Sequence, residues 1–214
     1  MDSREPDIEW WDSATSKEVG TPAERTLLHS YLKEGTSSAV GNVQADCQAL
    51  RINDQILPVM VHEVNTDSSH VCSPWNRYVA HAREQLQSTL RHHDLIHPIL
   101  DTFLANFGGW LRRGDLDRTV SMNNWLLPES VYPEWQGRGL PKIRDLILER
   151  YPEHAIMWRS LNETLHARLM VQLRSAGFQL LPNRPIWLIR EAETEAPAPI
   201  AKAGKVVPHD RFLA

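Results

Sequence analysis

Cysteine is scarce in this chain, with only Cys47 and Cys72 among 214 residues. Two cysteines without CxxC spacing exclude a disulfide framework and a cysteine-rich zinc site. No apolar run approaches the ~18 residues of a membrane-spanning helix. The first residues, MDSREPDIEWWDS, lack the apolar segment of a secretory leader. We therefore expect a cytoplasmic protein with reduced thiols and no membrane partner.

An excess of positive charge is also lacking. The formal net charge is -4, which argues against nucleic acid or an anionic membrane as the main partner. Tyrosine and phenylalanine occur four times each, whereas tryptophan occurs eight times. Most of these indoles are expected in the core, and others could line a cleft, a hydrophobic acceptor pocket or a homodimer face.

The pattern along the chain predicts one domain over residues 21–190, between a flexible N-terminal arm at 1–20 and a disordered, Ala- and Pro-rich tail at 191–214. Helix and strand signals alternate, so we expect an α/β or α+β fold with a mixed sheet and helices on both faces. Helices are predicted to begin at Thr21, Ser73, His97, Pro141 and Asn162, and strands to span 47–52, 56–64, 69–73, 118–127, 154–158, 178–181 and 185–189. The two strands that flank the helix at 141–150 should be parallel neighbours.

A glycine-bearing turn, Gln136-Gly137-Arg138-Gly139, separates the predicted strand at 118–127 from the next helix. Glycine permits a close backbone approach and a positive φ, and the first N–H groups of a helix have no partner within the helix. Together with the helix dipole these groups could bind a phosphate or pyrophosphate, to which Arg138 could add a charged hydrogen bond. The same turn could also be an ordinary strand–helix connection.

The turn belongs to a longer pattern, in which Val131-Tyr132-Pro133-Glu134-Trp135-Gln136-Gly137-Arg138-Gly139-Leu140-Pro141 is followed by a strand, Asn162 and a Gly177-Phe178 helix end. From 119 to 189 this order resembles the acyl-CoA-binding half of the GNAT superfamily of acyltransferases. In that superfamily a Gln/Arg-x-x-Gly-x-Gly/Ala turn holds the coenzyme A pyrophosphate. Gln136 and Gly139 match its first two defining positions.

The resemblance implies a GNAT-like fold, acetyl-CoA or another acyl-CoA as the donor, and a small-molecule or peptide amine as the acceptor. The residues that it implies for carrier binding are Trp125, Leu126, Gln136, Gly137, Arg138, Gly139, Leu140 and Asn162. The strands at 118–127 and 154–158 should part to leave a V-shaped opening for the carrier. Two helices are predicted between the strands at 56–64 and 118–127, an arrangement closer to the FemX-like branches of the superfamily. Some of these branches use aminoacyl-tRNA, which is the one nucleic acid that remains possible as a partner.

The chain also departs from the superfamily pattern. Pro141 stands at the third defining position and has no backbone N–H. Leu173 stands where many acetyltransferases have a general-acid tyrosine. Two alternatives therefore remain open: a catalytically degenerate protein of this fold that acts as a binding or interaction module, and an α/β protein whose glycine turn is only structural.

Several residues are candidates for catalysis. Backbone N–H groups from Asn123 to Leu126 could hold an oxyanion, with the Asn123 and Asn124 side chains adding contacts. Tyr132 could replace the missing phenol. Possible bases are Glu63, His62 and Glu134. Each of these residues could instead have a purely structural role. The asparagines could form a turn at the end of a strand, and the candidate bases could lie at a solvated strand end.

The sequence also contains a dense group of histidines, formed by His92, His93, Asp94 and His97. His93 and His97 are four residues apart, a spacing that can bind a metal on one helix face. Pro98 follows at once and no third ligand is evident, so we expect a polar interhelical loop and no metal.

Overall fold

The computed structural model describes residues 5–11, 19–64, 68–89, 97–115, 117–127, 130, 132–133, 135 and 137–181. The chain divides into two units, residues 1–176 and 177–214. In the second unit the described residues, 177–181, form neither helix nor strand, so the strand predicted at 178–181 is not formed. The strand predicted at 185–189 and the tail predicted at 191–214 lie outside the described residues.

The described part of the first unit contains five strands and six α-helices. The strands are β1 (Ile8–Trp10), β2 (Asp46–Ile52), β3 (Gln55–His62), β4 (Thr119–Met122) and β5 (Ala155–Trp158). The helices are α1 (Pro22–Glu34), α2 (Thr36–Ala39), α3 (His81–Thr89), α4 (His97–Arg113), α5 (Leu140–Arg150) and α6 (Glu163–Ser175). A π-helical turn, Asn76–Ala80, leads into α3. None of the helices in these described ranges has the length and apolar character needed to cross a membrane.

The strands form one mixed sheet in the order β1-β2-β3-β4-β5. Neighbouring strands are antiparallel from β1 to β4, whereas β4 and β5 are parallel. Parallel neighbours need a crossover, which α5 provides. The predicted α/β class and the predicted parallel pair are therefore confirmed, and the architecture is compatible with a GNAT-like fold.

The N-terminal segment differs from the flexible arm predicted at 1–20. Ile8–Trp10 forms β1 and pairs with residues 50–52 of β2. A strand of three residues is too short to show a two-residue period in the sequence. The backbone groups of β1 pair with an edge of β2 that would otherwise be open. Arg51 of β2 also forms an ion pair with Glu9 of β1 at 2.9 Å.

Strand β4 is shorter than the strand predicted at 118–127. It ends at Met122 because Asn123 adopts a φ of 51°, and Leu126 adopts a φ of 60°. Asparagine tolerates this left-handed region, whereas it is uncommon for leucine. The apolar residues after the turn continue the sequence pattern although the strand has ended. The strand predicted at 69–73 is also not formed, since these residues make turns.

Helices cover both faces of the sheet. On one face, Cys47 of β2 and Met60 of β3 pack in one buried cluster with Leu28 and Tyr31 of α1. On the other face, α5 buries Leu140, Ile143 and Ile147. The guanidinium of Arg150 at the end of α5 lies 4.7 Å from the ring centroid of Trp10 on β1. The sheet is thus the middle layer of a three-layer unit.

The helical segment between β3 and β4 is attached to the sheet by a buried carboxylate. Asp117 is 1% exposed, and its Oδ1 accepts hydrogen bonds from Ser73 Oγ at 2.8 Å and from Trp75 N at 2.9 Å. Ser73 Oγ also accepts from Asn76 N at 3.0 Å. An acidic group at a helix N-terminus satisfies free N–H groups and complements the dipole. We call residues 74–113 the helical insert.

The start of α1 provides a test of local stability. Thr21 Oγ1 accepts from Glu24 N, and Glu24 Oε2 accepts from Thr21 N, which forms a capping box. We expect Thr21→Ala to lower the free energy of unfolding by about 1 kcal/mol. Thr26→Ala is the matched control, because Thr26 Oγ1 donates to Pro22 O within the same helix. Urea unfolding should show little change or a slight gain for this control.

Candidate functional site

The carboxyl ends of β4 and β5 are where the resemblance implies an acyl carrier. Pairing covers all four residues of each strand, through Met122 opposite Trp158. Beyond Met122 the backbone stays with β3, since Asn124 N donates to Pro58 O at 3.3 Å. Along their paired length the two strands therefore leave no V-shaped opening, and the predicted opening would have to lie beyond Met122, where protein side chains meet.

We call these side chains the strand-end cluster, formed by Cys72, Asn124, Tyr132 and Arg159. Arg159 is 5% exposed, and its Nη1 donates to Asn124 Oδ1 at 3.0 Å. The fully buried Asn124 donates from Nδ2 to Val71 O at 2.9 Å and to Cys72 Sγ at 3.8 Å. Tyr132 Oη donates to Arg159 O at 2.5 Å. The cluster closes the strand ends with hydrogen bonds within the protein.

Two of the backbone N–H groups predicted to hold an oxyanion, those of Asn124 and Leu126, already have partners, and Asn124 N donates to Pro58 O at 3.3 Å. Leu126 N donates to Asn124 Oδ1 at 3.1 Å. Trp125 O accepts from Tyr31 Oη at 3.1 Å, and Trp125 Nε1 donates to Asn123 Oδ1 at 3.1 Å. Trp125 and Leu126 are only 8% and 7% exposed. An oxyanion hole needs donors aimed at accessible space, so these residues have structural roles in this arrangement.

Tyr132 is also poorly placed to act as an acid. Its proton is engaged with Arg159 O, and burial raises its pKa above the ordinary range, although Arg159 opposes this shift. Its ring lies in an aromatic layer, 6.2 Å from the Trp158 centroid, and Trp135 stacks on Trp158 at 5.7 Å. A phenol whose pKa is raised gives up its proton less readily, and this one already donates it within the protein, so Tyr132 is a poor replacement for the general acid.

His166 and Asn162 extend this layer. The His166 ring is 5.0 Å from the Tyr132 ring, and its Nδ1 accepts from Asn162 N at 3.2 Å, so Nδ1 carries no proton. Burial lowers the pKa of His166. Asn162 Oδ1 accepts from Leu165 N at 2.9 Å and thereby caps α6. The predicted cap is confirmed, and it occupies the side chain that the resemblance assigns to the carrier.

The glycine turn shows whether a pyrophosphate fits the N-terminus of α5. Gly139 is the N-cap with a φ of 75°, and no side chain caps the helix. A Cβ on Gly139 would lie 2.5 Å from Ile8 Cδ1 and 2.8 Å from Pro6 Cγ. A Cβ on Gly137 would lie 3.0 Å from Gln172 Cβ. Gly139 therefore faces protein atoms at β1 and Gly137 faces α6, so packing within the protein already requires both glycines.

The other residues of the turn give no stronger carrier site. Leu140 is 1% exposed, and its N donates to Gly137 O at 3.4 Å. Pro141 has no N–H to offer in the first turn. Arg138 is exposed on the turn, and Gln136 lies outside the described residues. The described residues around α5 therefore do not fit coenzyme A in this conformation.

Glu63, the predicted base, lies at the opposite end of β4. It follows β3, whose last residue pairs with the start of β4, so it is roughly 10 Å or more from the strand-end cluster. Its carboxylate contacts Arg118 Nε at 3.0 Å and His154 Nε2 at 3.1 Å. His62 is fully buried, and its Nδ1 donates to Asp117 O at 2.9 Å. Neither side chain can serve an acceptor at the carboxyl ends of β4 and β5.

The histidine group lies largely outside the described part of the chain. His92, His93 and Asp94 fall outside it, as does Glu134, and the side chain of His97 is not described. Within the described ranges, no three His, Cys, Asp or Glu side chains are placed to hold a metal ion.

An open cavity of about 380 Å³ lies beside the start of α1. Its lining includes Thr21, Glu24, Asp54, Ile56 and Pro133. The Glu24 carboxylate already accepts from Thr21 N at 2.7 Å. An acidic and neutral lining is unfavourable for a pyrophosphate.

Sequence analysis missed Arg159 and the role of Cys72. Arg159 directly follows β5, and a basic residue at the carboxyl end of a parallel strand is a recognisable signal. Burial raises the pKa of Cys72 to about 12, although Arg159 and Asn124 oppose the shift. Burial also raises the pKa of Cys47 to about 12. Both thiols are therefore protonated and unreactive in the native protein.

The closely packed glycine gives a stability test. We expect Gly139→Ala to lower the free energy of unfolding by about 2–4 kcal/mol, because it adds both a strained positive φ and a clash with Ile8. Gly109→Ala is the matched control, since a Cβ there meets no atom within 4 Å and should stabilise α4 by about 0.5–1 kcal/mol. Equal stability of the two variants in urea unfolding would contradict the packing role of Gly139.

The buried thiols predict a pH dependence of stability. The native pKa values of about 12 exceed the ordinary value of 9.0, so the unfolded chain loses these protons first as the pH rises. Their stabilisation is complete below pH 9.0 and is lost between pH 9.0 and about 12. The free energy of unfolding should fall by about 3 kcal/mol between pH 7 and pH 10 from this source. Cys72→Ala should remove about half of this slope. Rapid reaction of both native thiols with Ellman's reagent at pH 8 would contradict it.

Comparison of the chain with known proteins gives no further assignment. No protein-family model, no curated protein and no solved structure matches it. The GNAT resemblance therefore rests on the residues of the turn and on the order of the elements around it.

Proposed function

We propose that this chain is a catalytically degenerate GNAT-like protein that works by binding a partner and not by acyl transfer. The observation that carries the proposal is the hydrogen bond from Arg159 Nη1 to Asn124 Oδ1, which closes the strand ends. A carrier at this place would have to break that bond and expose a buried guanidinium. Removing one partner from a buried charged hydrogen bond costs about 3–5 kcal/mol.

The absence of usable catalytic groups supports the same proposal. Leu173, at the position of the expected general acid, is 1% exposed and apolar. Tyr132 has a raised pKa and already donates its proton to Arg159 O, and Glu63 lies at the far end of β4. No pair of groups with the reach and pKa of an acid and a base meets at the strand ends in the described residues. The two buried, free thiols support a cytoplasmic setting for the protein.

A second candidate function is N-acyl transfer from acetyl-CoA or another acyl-CoA to an amine. It is favoured by one observation, the parallel β4–β5 pair with the crossover helix α5, whose N-terminus has no side-chain cap. Such a helix end at the carboxyl edge of parallel strands is a common anion-binding position. This candidate requires the strand-end cluster to open.

Titration of the full chain with acetyl-CoA separates the two candidates. We expect no saturable heat in calorimetry and a thermal shift of less than about 1 °C at millimolar acetyl-CoA, because the Arg159–Asn124 hydrogen bond closes the strand ends. Coenzyme A without an acyl group and adenosine diphosphate are the control ligands, since a non-specific effect of diphosphates would appear with both. Acyl transfer to a panel of amines should be at background.

The Arg159→Ala variant tests whether the closed strand end prevents binding. Arg159→Ala removes the bond that closes the strand ends and leaves the turn at 137–139 intact. If the wild type binds acetyl-CoA with a dissociation constant in the micromolar range and transfers the acyl group to an amine of the panel, the proposal is wrong and the acyltransferase hypothesis holds. If neither the wild type nor a folded Arg159→Ala variant binds, the degenerate hypothesis is supported. Circular dichroism shows which variants are folded.

A further inference from the structure

The outer side of α4 carries a row of apolar side chains, which we call the α4 ridge: Ile99, Leu100, Phe103, Phe107 and Trp110. Ile99 is 70% exposed, Phe103 63% and Trp110 56%. The three aromatic rings stack along the helix, with centroids 6.4 Å apart from Phe103 to Phe107 and 6.0 Å apart from Phe107 to Trp110. These rings form a continuous surface and not scattered apolar residues.

The opposite side of α4 is already used inside the protein. Leu111 is buried, and a Cβ on Gly108 would lie 2.9 Å from Trp75 Nε1. Asp101 is held by Arg83 through two contacts of 2.7 and 2.9 Å. The α4 ridge is therefore a second apolar face on a helix that already has a core-facing side. It takes no part in the strand-end cluster.

We propose that the α4 ridge is the interface of a homodimer, in which two α4 helices pack antiparallel across a twofold axis between Phe103 and Phe107. The inference does not depend on the proposed function, since the ridge lies on the helical insert and contains none of the carrier-site residues. A twofold interface uses the same patch on both copies, which suits a ridge that carries no charged side chain.

The area of the ridge is sufficient for such a pair. From their exposed fractions, the four most exposed side chains of the ridge present roughly 400 Å² of apolar surface, within the ~300–600 Å² of a functional patch. A homodimer interface in which about 65% of the area is apolar would then cover roughly 600 Å² per copy. Two copies would bury about 1,200 Å², at the lower edge of the standard range for a stable complex.

Charge determines the orientation of the two helices. Arg112 and Arg113 lie at the C-terminus of α4. In a parallel pair the four guanidinium groups would meet at one end and repel. In an antiparallel pair centred near residue 105, each Arg113 lies opposite residue 97 and about 24 Å from its copy, beyond the screening length of about 10 Å. Antiparallel helix dipoles also attract.

Sedimentation of the full chain tests the dimer. From about 5 to 500 µM the weight-average mass should rise from 24.5 kDa towards twice that value. Phe103→Lys places a charge in the centre of the ridge and should weaken the dimer by about tenfold or more. Val171→Lys is the matched control, because Val171 is 55% exposed on α6, outside the ridge, and its change should leave the mass unchanged.

Cross-linking tests the orientation separately. Asn106 and Ala105 are both exposed on α4 and differ by ~100° around the helix, so that Asn106 lies on the side of Ile99 while Ala105 faces away from the ridge. The native cysteines are buried and should not react. A short bismaleimide should therefore link Asn106→Cys to its own copy and leave Ala105→Cys monomeric.

Three results would overturn the proposal. The first is a wild-type chain that stays monomeric to about 500 µM, which would leave the ridge for a different occupant. The second is a dimer that resists Phe103→Lys but is lost in Val171→Lys, which would place the interface elsewhere. The third is equal cross-linking at positions 105 and 106. None of these results depends on acetyl-CoA binding, so failure here and failure of the proposed function are distinguishable.

Discussion

The side chain of Asn124 is the contact on which the end of the sheet depends. Its Oδ1 accepts from Arg159 Nη1 and from Leu126 N, and its Nδ2 donates to Val71 O. One buried amide thus joins the end of β5, the connection that leaves β4 and the segment before the helical insert. A buried guanidinium loses much hydration energy, and hydrogen bonds within the protein must replace it. The closed strand end is consequently a bonded arrangement and not a loose collapse of side chains.

The left-handed turn after β4 follows from the same contact. Leu126 holds a φ of 60°, which is costly for a leucine, and its N–H is fixed by Asn124 Oδ1. Asn123 forms the first part of the turn with a φ of 51°. Its Oδ1 accepts a hydrogen bond from the Trp125 indole and so holds that ring in place. Backbone strain of this kind persists only where neighbouring bonds determine the conformation. Here those bonds serve the closure of the strand end and engage the donors that a reacting group would need.

Sequence analysis predicts the parts of the fold that rest on local signals. The Thr21 cap, the Asn162 cap and the parallel strands around α5 are local or follow from a topological rule, and all three are confirmed. It does not predict β1, because a three-residue strand is defined by its partner and not by its own period. It also does not predict that Asn124 and Arg159 meet, since they are 35 residues apart and only the parallel pairing brings them together.

The glycine turn shows why a motif can be present without its site. Glycine is needed wherever backbone must come close to other atoms, and a pyrophosphate is only one such neighbour. At Gly139 the neighbour is Ile8 of β1, a strand that sequence analysis does not detect. The sequence alone shows two glycines before a helix, and a ligand is then the most specific explanation for them. Once β1 is known, packing explains the same residues, and the exposed apolar area on α4 becomes the surface whose role the fold does not explain.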